Sequence, residues 1–243
     1  AERPNRALPG EPRGGPMHQP PSASTLVPLL GDGSSTSRKT VKEALLSLGD
    51  AAIPALRHAA DGADAVLRAR ARQILIELRR RRGLQQLREI LVDPGASLEA
   101  GLLAIDEVLG AADPALDVAG QLDAWAVATA ERLEENAPAE QAGAALHQVL
   151  AVEAGLRGAS SDFHNSLHVS LTRTVEDRRG LPLTLCAVYA LVGRRAGMEI
   201  ALLPFPGHVL LMVRGESSQQ IVDPFSGGTP LDEAACLARL RQL

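Results

Sequence analysis

Three side chains in the C-terminal part of this chain of 243 residues could together carry out acyl transfer: Cys186, His208 and Asp223. A cysteine can attack a carbonyl carbon, and a histidine can move the proton. A carboxylate beside the histidine fixes its tautomer and stabilises its charged form. The cysteine comes first, in an apolar stretch, and the other two follow on β-prone segments. Their types and order predict a cysteine-dependent catalytic site.

The cysteine is placed on a predicted helix. Pro182 falls in its first turn, where a helix tolerates proline, and Gly197 is a suitable residue to follow its end. The run 183–192 is apolar on nearly every face, which predicts a buried helix. The helix start would lower the pKa of the Cys186 thiol and burial would raise it, so the two effects oppose each other. Backbone N–H groups around 182–184 could hold an oxyanion, although proline has none to give.

The histidine and the acid are placed on a predicted hairpin. Segments 208–214 and 219–223 are β-prone and are joined through residues 215–218. With the loop centred between Gly215 and Glu216, His208 and Asp223 lie directly opposite each other on one face. Their Cβ atoms are then about 5 Å apart. A change of register by one residue would place them on opposite faces.

The same region carries several short motifs at defined spacing, and these resemble the SirB-type bacterial transglutaminase-like family. They are GLPLTL at 180–185, GRRAG at 193–197, FPGH at 205–208 and VDPF at 222–225, with weaker matches from residue 117 onward. The resemblance covers roughly residues 100–243. It implies a papain-like transglutaminase core and carries over His208 and Asp223.

The resemblance does not carry over the nucleophile. In transglutaminase cores the cysteine precedes the helix-ending glycine by about four turns. Counting back from Gly197 reaches Pro182 and not Cys186, and SirB-type members often have serine where this chain has Cys186. The resemblance therefore favours a transglutaminase-like fold more strongly than it favours catalysis.

Two classes of function follow from these residues. The favoured one is a non-catalytic adaptor or regulatory module with a degenerate Cys-His-Asp site, in which His208 and Asp223 close the hairpin. The alternative is a protease, amidase or transglutaminase in which Cys186 is the nucleophile, His208 the proton carrier and Asp223 the residue that orients it. Either class implies a protein or peptide partner, and neither requires a cofactor or a metal ion.

The fold class predicted is α+β, in three regions. Residues 1–24 are rich in proline and glycine and are interpreted as a disordered arm, or alternatively as a recognition segment. Residues 25–95 show the spacing of HEAT-like helical repeats, with two units at most. In this region the apolar spacing predicts one helix that ends at Gly49 and a further helix over 65–78. Residues 96–243 form the transglutaminase-like domain, helical over 96–157 and with its core over 158–243.

Charge and composition limit the remaining possibilities. The chain is 45% hydrophobic, only 2% aromatic and carries a net charge of −4, so nucleic-acid binding is not expected overall. No apolar run is long enough to cross a membrane, and two cysteines favour a reduced, cytoplasmic protein. Eight arginines between 68 and 92 precede eleven acids between 93 and 140. The arginines indicate either an anionic partner or, as favoured here, a solvated face that the acids partly neutralise.

Overall fold

The computed structural model describes residues 21–31, 34–113 and 115–241. The predicted arm over 1–24 therefore lies outside the described residues except at its end, where Ser22 caps a short helix. The helices are α1 (Ala23–Leu26), α2 (Ser35–Leu48), α3 (Ile53–Ala60), α4 (Ala65–Ile90), α5 (Leu98–Leu109), α6 (Val118–Ala130), α7 (Ala139–Leu146), α8 (Leu171–Asp177), α9 (Pro182–Arg195) and α10 (Glu233–Leu240). The strands are β1 (Arg157–Gly158), β2 (Arg179–Gly180), β3 (Glu199–Phe205), β4 (His208–Arg214), β5 (Gln219–Asp223) and β6 (Thr229–Leu231).

The chain divides into two compact units, residues 1–78 and 79–243. The described part of the first unit is entirely helical and has its own core of leucine, valine, isoleucine and alanine. Its best-defined helix, α2, ends at Gly49, whose φ of +57° suits glycine at a helix end. A helix ending at Gly49 was predicted from the sequence, and this is confirmed.

Helix α4 is longer than the sequence pattern indicated. The apolar spacing predicted a helix over 65–78, but the helix continues to Ile90 and includes the arginine-rich stretch. Gly83 does not break it, because a single glycine costs a helix only about 1 kcal/mol. A Cβ atom at Gly83 would come within 2.8 Å of the Ala104 carbonyl oxygen, so glycine allows α4 to pass close to α5.

The core of the second unit is built around α9. Apart from Leu183, every residue from Pro182 to Gly193 is buried, as the apolar run predicted. Helix α6 packs against it and contributes Trp125, which is 7% exposed and contacted by the guanidinium of Arg178. Strands β3 and β4 also pack on α9.

Strands β3 to β6 form one antiparallel sheet in the order β3-β4-β5-β6. Strands β1 and β2 form a separate parallel pair of two residues each. The second unit therefore combines helices with a small antiparallel sheet, and the predicted α+β class is confirmed.

The predicted register of the hairpin between β4 and β5 is wrong. Leu211 pairs with Val222 and Arg214 with Gln219, so the loop holds residues 215–218 and is centred one residue later than expected. The N–H of Gly215 donates to the Ser218 carbonyl oxygen at 2.9 Å, which closes this longer loop. His208 and Asp223 are therefore not directly opposite. The shift moves the pairing by two residues and leaves both on one face of the sheet.

No helix in the described part of the chain is long and apolar enough to span a bilayer.

Candidate functional site

The start of α9 presents unsatisfied backbone donors. Its first residue is Pro182, and Leu181 before it supplies no side-chain cap. The first N–H to find a helical partner is that of Leu185, which donates to the Leu181 carbonyl oxygen at 2.9 Å. The N–H groups of Leu183 and Thr184 have no acceptor among the described residues. Such donors favour a negative charge or a carbonyl oxygen at this end of the helix.

Cys186 lies one turn further along α9 and is completely buried. Its thiol donates a hydrogen bond to the Val209 carbonyl oxygen at 3.2 Å. Burial raises the pKa of the Cys186 thiol to about 12, and the nearby Asp223 carboxylate adds to the rise. The sequence left open whether the helix start or burial would dominate. Burial dominates, so the sulfur is a neutral thiol at physiological pH.

His208 and Asp223 are in contact despite the shifted register. The Nε2 atom of His208 lies 2.9 Å from Oδ1 of Asp223. Because a carboxylate can only accept a hydrogen bond, Nε2 carries the hydrogen and donates it. In the neutral ring the lone pair is then on Nδ1, which has no partner among the described residues.

The Asp223 carboxylate is held by several donors. It is 1% exposed, and besides the imidazole it accepts hydrogen bonds from the Phe225 N–H at 3.0 Å and from the Ser226 hydroxyl at 2.8 Å. The carboxylate therefore accepts hydrogen bonds both from the histidine and from the turn that follows β5. This double role means that a His-Asp contact alone does not identify a catalytic pair.

A cavity of about 400 Å³ opens beside His208. It is lined by the start of α9, by the turn into β4 and by apolar side chains from α5 and from the segment before α8: residues 181–184, 207–209, Leu102, Ile105, Phe163 and Val169. Leu183 and Phe163 are 56% and 45% exposed. Cys186 does not line this cavity. At the start of α9, which lines this cavity together with His208, the chain has Pro182 and Leu183.

All three phenylalanines of the chain gather around His208. Phe205 is its cross-strand neighbour on β3. The Phe225 ring stands edge-on to the imidazole with centroids 5.8 Å apart, and Phe163 stands edge-on to Phe225 at 6.3 Å. In a chain that is only 2% aromatic, this concentration distinguishes the surroundings of His208, although only Phe163 of the three lines the cavity.

These geometric features coincide with a family match. The model of the transglutaminase-like superfamily matches residues 117–243, a stretch that begins at the cap of α6 and includes α9 and the whole sheet. The chain belongs to the transglutaminase-like superfamily. Its α9 and the hairpin of β4 and β5 are the parts of that domain that carry Cys186, His208 and Asp223.

Two curated relatives of this transglutaminase-like chain are the UPF0162 proteins of Xylella fastidiosa strains 9a5c and Temecula1. Each is 31% identical over 98 residues, which is 40% of this chain and 35% of the relative. The match therefore spans about a third of the relatives' length. No solved structure matches the chain at a significant level.

Two further titratable side chains of the transglutaminase-like domain, His147 and Cys236, do not line this cavity. His147 is exposed, and its Nδ1 lies 2.6 Å from the Gly227 carbonyl oxygen. Cys236 is partly buried, forms no disulfide, and lines a separate cavity of about 740 Å³ beside β6 and α10. Among the described residues no group of histidine, cysteine and acidic side chains could hold a metal ion.

Three features around the site have no local signal in the sequence. The phenylalanine cluster depends on the fold, because Phe163, Phe205 and Phe225 are far apart along the chain. Asp106 is fully buried on α5 and accepts from the N–H groups of Leu171 and Thr172 at the start of α8, which no short motif indicated. The Tyr189 hydroxyl is buried without a hydrogen-bond partner among the described residues, and burial raises the pKa of Tyr189.

Proposed function

We propose that this chain is a non-catalytic transglutaminase-like module that binds a protein or peptide partner. One observation carries the proposal: Cys186 is sealed in the core, bonded to the Val209 carbonyl oxygen, and does not line the cavity at His208. A thiol with a pKa of about 12 is not a nucleophile at neutral pH. Pro182 and Leu183, which line the cavity together with His208, offer no nucleophilic atom.

The cavity has the character of a binding site for an apolar side chain of a peptide. Its walls are aliphatic and aromatic, and exposed Leu183 and Phe163 stand at its edge. The unsatisfied N–H groups of Leu183 and Thr184 could donate to a peptide carbonyl oxygen there. His208 offers Nδ1 as a polar contact beside the apolar walls. This combination of apolar walls with a few fixed polar groups is typical of ligand cavities.

The alternative function is cysteine-dependent acyl transfer with Cys186, His208 and Asp223. The observation that favours it is the contact of 2.9 Å between His208 and Asp223, the arrangement that orients a catalytic histidine. It requires that Cys186 become accessible to substrate through a rearrangement of α9 or β4. The Asp223 hydrogen bonds to the turn after β5 give the same pair a structural purpose, which is why binding is the preferred function.

The two functions are distinguished by alkylation of the cysteines in the native protein, read by mass spectrometry from about pH 5.5 to about pH 9. Binding without catalysis predicts that Cys236 is labelled and that Cys186 is labelled only after unfolding. Partly exposed Cys236 is thus an internal control for the reagent. Rapid labelling of Cys186 near about pH 6 that slows in His208→Ala would show a histidine-activated thiolate and overturn the proposal.

Three finer assignments accompany this proposal. We infer that the domain is of the SirB type, supported by the GLPLTL, FPGH and VDPF motifs at α9, β4 and β5. We infer HEAT-like pairing of helices in residues 25–95, supported by α2 and α3 and the core that they share. A cytoplasmic location is supported by two cysteines that form no disulfide.

A further inference from the structure

The end of helix α4 carries arginines that nothing in the described structure neutralises. Arg80, Arg82 and Arg88 are exposed, and Arg79 is partly buried. None of the four makes a hydrogen bond or an ion pair with a described residue. The sequence favoured partial neutralisation by the acids that follow. Two of those acids, Glu99 and Asp123, bind Arg195 rather than an arginine of α4, and Arg80, Arg82 and Arg88 remain exposed.

Exposed aliphatic side chains stand among these arginines. Leu84 is 41% exposed, and Leu91 and Val92, just beyond the last turn, are 81% and 80% exposed. The Leu91 N–H still donates to the Leu87 carbonyl oxygen at 2.9 Å, so Leu91 continues the helical path. At about 100° per residue, Arg80, Leu84, Arg88 and Leu91 lie within about 80° of one another around the axis. We call these four residues the Arg-Leu face.

We propose that the Arg-Leu face docks an acidic, leucine-bearing amphipathic helix of a partner protein. Leu84 and Leu91 are seven residues apart, the spacing at which one helix packs its seam against another. Arg80 and Arg88 flank that seam, where charged residues select an oppositely charged partner helix. This surface is separate from the cavity at His208, so the inference goes beyond the proposed function and does not depend on it.

The observations favour a protein helix over the other anionic partners. A phosphate backbone is bound by arginine alone and gives no reason for exposed leucines at heptad spacing. Single-stranded nucleic acids bind to stacking aromatic side chains, and residues 79–92 contain none. Helices that lie on bilayers bury a broad apolar face, commonly with tryptophan or phenylalanine, whereas this face offers two leucines and the neighbouring valine.

The test measures binding of a synthetic peptide of about three heptads with leucine at the seam and glutamate at the flanking positions. A second peptide with serine in place of leucine keeps the charge and removes the apolar seam. We expect the whole chain to bind the leucine peptide and to bind the serine peptide about tenfold more weakly. Raising the salt from about 0.1 M to about 1 M should weaken binding, because screening shortens the range of the arginine charges.

Matched variants locate the surface. Arg80→Gln/Arg88→Gln should weaken binding about fivefold, as expected from two exposed charge pairs, and Leu84→Ser/Leu91→Ser about tenfold. Arg157→Gln/Arg179→Gln removes the same charge from two exposed arginines elsewhere in the same unit and should leave binding unchanged. Circular dichroism checks that each variant keeps its helix content.

Five results would overturn the inference. The first is absence of binding to the leucine peptide, and the second is equal binding of the serine peptide. The third is an equal loss of binding in the Arg157→Gln/Arg179→Gln control, which would mean that the peptide is attracted only to the overall charge. The fourth is tighter binding to vesicles of phosphatidylcholine and phosphatidylglycerol, or to duplex DNA, than to the peptide. Sedimentation of the chain alone checks that a second copy does not occupy the face. Self-association abolished by Leu84→Ser/Leu91→Ser would also overturn it.

Discussion

His208 reaches Asp223 diagonally across the hairpin: its Nε2 lies 2.9 Å from Oδ1, although the register, in which Leu211 pairs with Val222, does not place the two residues directly opposite each other. The carboxylate also holds the Phe225 N–H and the Ser226 hydroxyl. The pair therefore joins the sheet, the histidine and the turn after β5. In the proposed binding function this junction is structural, and its contribution to the free energy of unfolding can be measured.

Asp223→Ala should destabilise the protein by about 3 kcal/mol, because it leaves buried donors without an acceptor. Ser226→Ala removes one of those donors and should cost only about 1 kcal/mol. Urea denaturation followed by circular dichroism gives both free energies of unfolding. If the two variants lose similar stability, the carboxylate is not the centre of the junction.

The stability of the protein should fall as the pH rises from about 9 toward about 12. The pKa of Cys186 is raised from 9.0 to about 12 in the folded state, so the unfolded chain loses this proton first and is favoured at alkaline pH. The stabilisation is complete below the unfolded pKa and is lost as the pH rises through the folded pKa. Cys186→Ala should reduce the slope of the free energy of unfolding against pH in this window.

Tyr189 should also make the stability of the protein fall as the pH rises, because burial raises the pKa of Tyr189 as well. Tyr189→Phe should therefore also reduce the slope, and the double variant should reduce it further. Using differences between variants removes the contribution of the surface groups that titrate in the same range. A slope unchanged in Cys186→Ala would mean that the thiol is not buried in solution.

Leu183→Cys should create a reactive thiol where the native chain has none. This position is 56% exposed and lines the cavity with His208. It follows Pro182 at the start of α9, where the unsatisfied N–H groups of the helix stabilise a thiolate. In a Cys186→Ala background, its alkylation near about pH 7 should be about tenfold faster than that of Cys236. Adding His208→Ala should slow it. A rate no greater than that of Cys236 would show that the helix start does not activate a thiol here.

Two helix-capping aspartates should differ in importance because one is buried. Asp106 accepts from two N–H groups at the start of α8 and from the Thr172 hydroxyl, all inside the core. Asp117 caps α6 at the surface through the Gly120 N–H at 2.9 Å. Asp106→Ala should lower the free energy of unfolding by about 3 kcal/mol and Asp117→Ala by about 1 kcal/mol, measured by thermal or urea denaturation. Similar costs would mean that Asp106 is no more than a local cap.

The sequence predicted the elements of the site well because each is specified locally. Pro182 and Gly197 mark the ends of α9, the apolar run explains its burial, and two β-prone segments joined by residues 215–218 specify the hairpin. The register was missed because a loop of four residues and one of two are compatible with the same glycine and serine composition at 215–218. The bond between the Gly215 N–H and the Ser218 carbonyl oxygen, which decides between them, is a property of the folded loop.

Other features could not be predicted from the sequence because they depend on distant parts of the chain. Whether the helix start or burial dominates the pKa of Cys186 depends on β4, which covers the thiol and supplies the Val209 carbonyl oxygen that it contacts. The cavity at His208 needs α5 and the segment holding Phe163 to meet α9. The length of α4 was underestimated because the close packing of Gly83 on α5, absent from any local pattern, supports the helix beyond Leu78.

The placement of the aromatic residues has a practical consequence for spectroscopy. Residues 1–78 contain no tryptophan, tyrosine or phenylalanine, whereas Trp125, Tyr189 and the phenylalanines around His208 all belong to residues 79–243. Intrinsic fluorescence and near-ultraviolet circular dichroism therefore report only on the second unit, while far-ultraviolet circular dichroism reports on the helices of both. A denaturation followed by both signals separates the unfolding of the two units without any introduced label.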